Sequence, residues 1–140
     1  MLDDRRKRLQ LLSVQHQPLS SPVQSTVSHR CTLRDASLLD GLEPVCTMQE
    51  AEGLTAIVPK EQAQALGIAF QFESVLITLS VHSSLAAVGF LARVCSVLAA
   101  ASIPCNVVSG FYHDHLFVPS DKLSETLAAL GQLSRKTAQT

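Results

Sequence analysis

The chain has 140 residues, a length typical of one domain, and 46% of them are hydrophobic, which excludes a largely disordered protein. Aromatic residues make up only 4% and tryptophan is absent, so the core has to be built from aliphatic side chains. Eleven basic and twelve acidic side chains give a formal net charge of -1, which provides no long-range field for nucleic acid or an anionic membrane surface.

Residues 1–28 differ in composition from the rest of the chain. A basic cluster, Arg5 to Arg8, is followed by polar residues and prolines with little periodicity. We predict that this segment is poorly ordered and contains no secretory signal. The longest apolar stretch, Leu85 to Ala101, is interrupted by Arg93 and Ser96 and is too short to span a bilayer. These features predict a cytoplasmic protein without a membrane anchor.

The four cysteines, Cys31, Cys46, Cys95 and Cys105, include no C-x-x-C pair. This spacing favours free thiols in a reducing compartment over a disulfide framework. Cys95 and Cys105 have apolar neighbours, and burial among such neighbours raises a thiol pKa. We therefore predict that neither is a catalytic nucleophile.

The first regular elements are predicted between residues 44 and 67. Pro44 to Met48 is predicted to be a strand, the turn at 51–53 follows, and Leu54 to Val58 is predicted to be a second strand. Pro59 is predicted to open a helix that ends at Gly67, because proline suits the first helical turn and glycine the position after the last.

The next predicted unit begins with Val75 to Val81, a β-branched run typical of a buried strand. Either Ser83 or Ser84 is predicted to cap the following helix, which ends before Pro104. Apolar residues recur at spacings of three and four and predict one buried helix face. These residues are Leu85, Val88, Leu91, Ala92, Cys95, Leu98 and Ala99.

A predicted hairpin and a final helix complete the order strand, helix, strand, strand, helix. Cys105 to Ser109 and His115 to Val118 are predicted to pair around a turn at Gly110. Ser120 is predicted to cap the last helix, which ends near Gly131. Its core-facing residues are predicted to be Leu123, Leu127 and Leu130.

The two halves of the chain match each other without a gap at a shift of 60 positions, the distance from Pro59 to Pro119 (119 − 59). Val58 then falls on Val118, and Pro44 falls on Pro104. Because the order of predicted elements agrees as well, an internal duplication is the better explanation. Two half-sheets, each covered by helices on one side, predict an α+β sandwich.

Three sequence blocks resemble a family of small tandem ACT-domain proteins. They are Glu-Ala-Glu-Gly-Leu-Thr at 50–55, Ile-Thr-Leu-Ser-Val-His-Ser-Ser-Leu at 77–85, and Asn-Val-Val-Ser-Gly-Phe-Tyr-His-Asp-His-Leu-Phe-Val-Pro at 106–119. The resemblance implies a ferredoxin-like βαββαβ sandwich with two ACT-like units. It implies a partial, degenerate N-terminal unit at 29–72, a C-terminal unit at 73–134 and a tail at 135–140. Members of this family usually begin with an apolar strand. The corresponding stretch here, His29 to Leu33, is less apolar, so we expect a weak first strand.

The resemblance also implies a site for a small amino-acid effector between ACT-like units, at a loop that leads into a helix. Amide groups at a helix N-terminus suit a carboxylate, serine hydroxyls add donors, and a glycine permits close approach. The predicted residues of this loop are His82, Ser83, Ser84, Leu85 and Gly89. Asn106 and Val107, on the strand expected beside the loop, are predicted to bind the amino end of the ligand.

Other side chains have competing interpretations. His113 and His115 are two apart and would share one face of a strand as zinc ligands, but no third ligand pattern lies nearby, and a structural hairpin is favoured. Asp114 suits a turn before that strand. Glu50 and Glu52 would serve as an acid and base pair or, as favoured, as solvated residues or contacts for a cationic group.

The sequence therefore predicts a non-catalytic regulatory module without a cofactor or metal, which binds an amino acid or a related metabolite and associates with itself through its sheets. Nucleic acid and membranes are not predicted partners. The alternatives are a protein-interaction or oligomerisation module that binds no ligand, and a metal-dependent enzyme that uses His113 and His115.

Overall fold

The computed structural model describes residues 27–33, 36–79 and 88–138 of the chain. The predicted disordered segment therefore lies almost wholly outside the described residues. The chain divides into two compact units, one ending at Leu76 and the other including everything from Ile77 onward. Strand β4, Phe72–Leu79, contains this boundary.

The N-terminal unit has strand order β2-β3-β1-β4. Its elements are β1 (Val27–Leu33), a 3₁₀ turn (Ala36–Leu39), β2 (Cys46–Glu50), β3 (Gly53–Pro59), helix α1 (Lys60–Ala65) and the beginning of β4. β1 forms despite its polar sequence, because it pairs antiparallel with β3 on one side and β4 on the other. The first helix of a βαββαβ unit is reduced here to a single 3₁₀ turn.

The C-terminal unit has strand order β4-β6-β5. Its elements are the end of β4, α2 (Phe90–Ala100), β5 (Asn106–Ser109), β6 (Asp114–Pro119), a 3₁₀ turn (Ser120–Lys122) and α3 (Leu123–Ala138). This confirms the predicted order of strand, helix, strand, strand, helix. Helices and antiparallel strands in both units confirm the α+β class.

The hairpins of the two units have the same strand register after a shift of 60 residues. The matching pairs are Cys46–Ile57 with Asn106–Phe117, Thr47–Ala56 with Val107–Leu116, Met48–Thr55 with Val108–His115, and Gln49–Leu54 with Ser109–Asp114. A one-residue slip would turn every side chain to the opposite face, so register is a stringent criterion. The predicted duplication is therefore present in the strand pairing as well as in the sequence.

Each inner strand of these hairpins ends in the same way. Val58 and Val118 are both fully buried, and the proline that follows each has nearly the same backbone angles. Pro59 has φ -57° and ψ 139°, and Pro119 has φ -53° and ψ 138°. Because proline fixes φ and cannot donate a ladder hydrogen bond, it ends the strand and starts a helical turn.

Aliphatic side chains form a core in each unit. The C-terminal core contains Ile77, Leu79, Val94, Leu98, Ile103, Leu116, Val118 and Leu130. The smaller N-terminal core contains Leu42, Ala56, Val58 and Ala63. The larger core corresponds to longer helices, since α3 has 16 residues and α1 has 6.

The structure corrects several predicted helix ends. α2 starts at Phe90 with Gly89 as its N-cap, so neither Ser83 nor Ser84 caps it, and Val88 is 95% exposed instead of lying on the buried face. Ser120 is the first residue of a 3₁₀ turn whose N-cap is Pro119, so it does not occupy the predicted N-cap position. α3 continues through Gly131, because Leu130 and Leu133 pack into the core and hold the helix across the glycine.

No helix in the described part of the chain has both the length and the hydropathy to cross a bilayer.

Replacing Leu98 with alanine tests the assigned core. Leu98 is fully buried on α2, so the Leu98→Ala variant should lose about 2–5 kcal/mol of unfolding free energy in urea denaturation. Val88→Ala is the matched control on an exposed side chain and should change stability by less than about 0.5 kcal/mol. Equal losses in both variants would contradict the assigned helix boundary.

Candidate functional site

The predicted ligand site is only partly within the described residues. His82, Ser83, Ser84 and Leu85 lie outside them, whereas the structure describes Gly89, Asn106 and Val107. The described site residues all belong to the C-terminal unit.

Gly89 places a turn at the N-terminus of α2. Its φ of 87° is in the left-handed region, which suits glycine, and a Cβ built at this position would meet nothing within 4 Å. The carbonyl of Gly89 accepts the first helical hydrogen bond from the Arg93 amide, at 3.2 Å. Gly89 makes no capping side-chain hydrogen bond, and the first turn contains no acidic residue. The positive end of the helix dipole therefore has no carboxylate of its own helix beside it.

Asn106 and Val107 lie on β5, opposite Phe117 and Leu116 of β6. Both are half-buried. In the strand order β4-β6-β5, β6 stands between β4 and β5, so β5 is not the immediate neighbour of the strand that leads into the loop. The loop itself lies outside the described residues, so its contact with β5 and the contact of Asn106 and Val107 with a ligand stay predictions.

A hydrogen bond between Thr78 and His115 aligns the end of β4 with the beginning of β6. Thr78 is the penultimate residue of β4, and its Oγ1 lies 3.0 Å from Nδ1 of His115. Val108 is directly opposite His115 on β5. The residues level with the end of β4 are thus His115 and Val108. The sequence analysis considered His115 as a zinc ligand or a structural hairpin residue, and it did not single out Thr78. The shift of 60 residues was a signal for the position of His115 in its hairpin, because it places His115 opposite Val108 just as Thr55 lies opposite Met48.

His115 is held closely on its other side by Gly110. A Cβ at Gly110 would lie 3.3 Å from Nε2 of His115 and 2.9 Å from the carbonyl oxygen of His113. The Gly110 amide donates a hydrogen bond to that same carbonyl, at 2.9 Å. Glycine is therefore required by close approach at this turn. Burial lowers the pKa of His115, nearby His113 lowers it further, and Asp114 opposes the shift.

Asp114 is buried, with 5% of its surface exposed, and starts β6. The Ser109 hydroxyl donates a hydrogen bond of 2.7 Å to its Oδ1. Because Ser109 and Asp114 are also a cross-strand pair, this bond closes the hairpin end. The prediction that Asp114 lies in the turn before the strand is therefore wrong by one residue, and His113 occupies that turn.

The structure gives little support to the metal and acid–base interpretations. His113 precedes β6 and does not share a strand face with His115. Among the described residues, no three His, Cys, Asp or Glu side chains are grouped as metal ligands. Glu50 and Glu52 are exposed at the other hairpin, where Glu50 accepts a hydrogen bond from the Thr55 hydroxyl.

The thiol of Cys105 is poorly suited to nucleophilic chemistry. Burial raises its pKa to about 11, and Cys95 raises it as well. A thiol with this pKa is almost entirely protonated near neutral pH, and the thiolate is the reactive form. This agrees with the prediction that apolar neighbours raise the pKa of the Cys105 thiol.

Family models of the ACT domain match the chain in two consecutive segments. One model matches residues 30–74 and a second matches residues 71–132. Comparison with curated proteins finds no match.

Among solved structures, the chain is similar to a Vibrio cholerae protein of unknown function that is noted as a possible transport protein. The identity is 42% and the TM-score is 0.69, over 74% of this chain and 80% of that one. The regulatory subunit of aspartate kinase from Thermus thermophilus, in its ligand-free form, has 12% identity and a TM-score of 0.55, over 87% and 86%. Aspartokinase alpha and beta subunits have 12% identity and a TM-score of 0.51, over 75% and 88%. At 12% identity, the similarity to the aspartate kinase structures shows a shared fold alone. That fold is the ferredoxin-like fold of ACT domains.

Replacing Gly89 tests the left-handed turn. Gly89→Ala should lose about 1–2 kcal/mol of unfolding free energy, from backbone strain alone, because the added methyl group meets no neighbour. Gly89→Asn should lose less, since asparagine tolerates this region better. Urea denaturation of the three proteins checks the ranking, and an unchanged stability in Gly89→Ala would contradict the turn.

The lowered pKa of His115 predicts a stability that depends on pH. The folded state favours neutral His115, so below the unfolded pKa of about 6.5 the unfolded chain binds more protons. The free energy of unfolding should therefore fall as the pH decreases from about 7 through 6. His115→Asn keeps an acceptor near Thr78 and should show a weaker dependence over this range. Identical pH profiles for the two proteins would contradict the role of His115.

Proposed function

The chain belongs to the ACT-domain family, and from this premise we propose that it is a non-catalytic regulatory module that binds a small amino acid or a related metabolite. The observation that supports this most is the N-terminus of α2. Its N-cap residue is the left-handed Gly89, which has no side chain to cap the helix, and its first turn lacks an acid. Backbone N–H groups in this setting favour an anionic group.

The ligand chemistry follows from the two ends of an amino acid. Its carboxylate would accept hydrogen bonds from amides at the start of α2 and from the hydroxyls of Ser83 and Ser84, with His82 and Leu85 beside them. Its amino group would be bound by β5, where Asn106 and Val107 are the proposed contacts. Register favours Val108 as an additional contact, because it lies opposite His115 near the end of β4.

The absence of a catalytic role is supported by the chemistry of the described side chains. Cys105 has a raised pKa, and the Asp114 carboxylate already accepts a hydrogen bond from Ser109. An acid or base in catalysis needs a reacting group within hydrogen-bond reach and a suitable pKa. Free thiols at Cys46, Cys95 and Cys105 further support a reducing compartment such as the cytoplasm.

We propose that the module transmits ligand binding through protein contacts and associates with itself. A module that binds proteins without any small ligand is the second candidate, and exposed aromatic side chains favour it. Phe111 is 73% and Tyr112 is 62% exposed, and their rings make an edge-to-face contact at 4.9 Å. Aromatic side chains are frequent anchors of protein interfaces.

A thermal-shift screen of the twenty amino acids tests ligand binding. A ligand at about 100 times its dissociation constant stabilises the folded state by roughly 2.7 kcal/mol, so a specific amino acid should raise the melting temperature. The Ser83→Ala/Ser84→Ala/Gly89→Val variant should lose that increase. Ser124→Ala, a serine on the exposed side of α3, is the control and should keep it.

A screen without a hit at millimolar concentration would reject the effector proposal and favour the ligand-free interaction module. Metal analysis of the purified protein separates both from a metal-dependent enzyme, which should retain close to one equivalent of a transition metal.

A further inference from the structure

The near-neutral total charge conceals an acidic segment in the N-terminal unit. The described residues of this unit, 27–33 and 36–76, have six acidic side chains and two basic ones, which are Asp40, Glu43, Glu50, Glu52, Glu61, Glu73, Arg30 and Lys60. Lys60 lies 3.0 Å from Glu73 in an ion pair, so its charge is already compensated. The described residues 88–138, in contrast, have three acids and four Lys or Arg residues. The excess negative charge is thus local to the N-terminal unit.

Part of this charge lies along β2, which is the outer strand of its unit. Among the described strands, β2 pairs with β3 alone. Four of its five residues, from Thr47 to Glu50, are exposed. Glu50 ends the strand, Glu52 lies in the adjoining turn, and Glu43 lies three residues before the strand. A single pairing partner leaves backbone donors and acceptors along the other side of β2.

Two exposed apolar side chains lie on β2 or next to it. Met48 is 57% exposed in the middle of β2, and Val45 just before it is 43% exposed. The corresponding strand of the second repeat differs, since three of the four residues of β5 are half-buried and none is charged. The same hairpin register therefore presents one outer strand that is exposed and acidic and another that is neutral and more covered.

We propose that β2 is a docking strand for an extended, basic segment of another protein, which adds to the sheet beside it. Backbone hydrogen bonds would supply affinity, and the side chains of Met48 and Glu50 would select alternate apolar and cationic residues in the partner. The proposal goes beyond effector binding and does not depend on it. A chain that binds no amino acid would still be expected to bind such a segment.

Charge argues against a second copy of this chain as the occupant. Antiparallel pairing of two β2 strands centred on Met48 would bring Glu43 of each copy next to Glu52 of the other, while Glu50 would face Cys46. Adjacent strands are about 4.8 Å apart, well within the roughly 8–10 Å screening length of physiological salt. The repulsion between like charges disfavours this pairing, whereas lysine or arginine residues in a partner strand relieve it.

The test uses a labelled seven-residue peptide, acetyl-Lys-Thr-Val-Lys-Val-Thr-Lys-amide, and fluorescence anisotropy with the full chain. A second peptide replaces both valines with proline, which keeps the charge but cannot pair as a strand. The first peptide should bind at least about tenfold more tightly than the second. Its binding should weaken at least about tenfold in the Glu50→Lys/Glu52→Lys variant and little in Asp121→Lys/Glu125→Lys, an equal charge change in the other unit.

Hydrogen exchange of the same samples locates the peptide. The first peptide should slow exchange of amides within Thr47 to Glu50. Equal binding of the two peptides, or equal effects of the two charge-reversal variants, would show unspecific charge attraction and overturn the proposal. Protection of β2 that increases with protein concentration in the absence of peptide would identify a second copy as the occupant and would also overturn it.

Discussion

The structure depends on the burial of the inner strand of each hairpin immediately before a proline. Val58 and Val118 have no solvent exposure, and the residues just before them are also buried. Residues 56–58 and 116–118 are all buried, so both faces of each inner strand are covered, and a slip by one residue would exchange the side chains that pack on those two faces. The proline then ends the strand with a fixed φ and directs the chain into a helical turn. All the paired positions of the second hairpin follow from those of the first by one constant shift.

The Val-Pro repeat made much of the fold predictable from sequence. Two hairpins, their order and the α+β class follow from alternation, prolines and apolar spacing, and the structure has them all. The predictions that failed concern the ends of helices, which depend on tertiary packing. Apolar spacing continues N-terminal to α2 through Val88, but the left-handed Gly89 starts the helix only at Phe90. Gly131 resembles a helix end locally, yet burial of Leu130 carries α3 beyond it.

The sequence predicted which helix N-terminus forms the candidate site, but it did not predict the order of the strands around it. A loop followed by a glycine and a helix pointed to the N-terminus of α2, and the structure has Gly89 at that place. The strand order could not be read from spacing, because the position of β6 between β4 and β5 results from long-range pairing. This is why His115, and not Asn106, contacts Thr78 at the end of β4. The hairpins themselves diverged in chemistry, with acidic residues at one turn and exposed aromatic residues at the other.

The central claim is that an amino-acid effector binds at the N-terminus of α2. Titration of ¹⁵N-labelled protein, followed through backbone amide shifts, addresses it most directly. The account predicts saturable shifts that are largest for the amides of Gly89 to Leu91, where donors would meet the ligand carboxylate. Unchanged amide shifts in this turn throughout a titration with each amino acid, or saturable shifts confined to the acidic hairpin turn at Glu50 to Gly53, would contradict it.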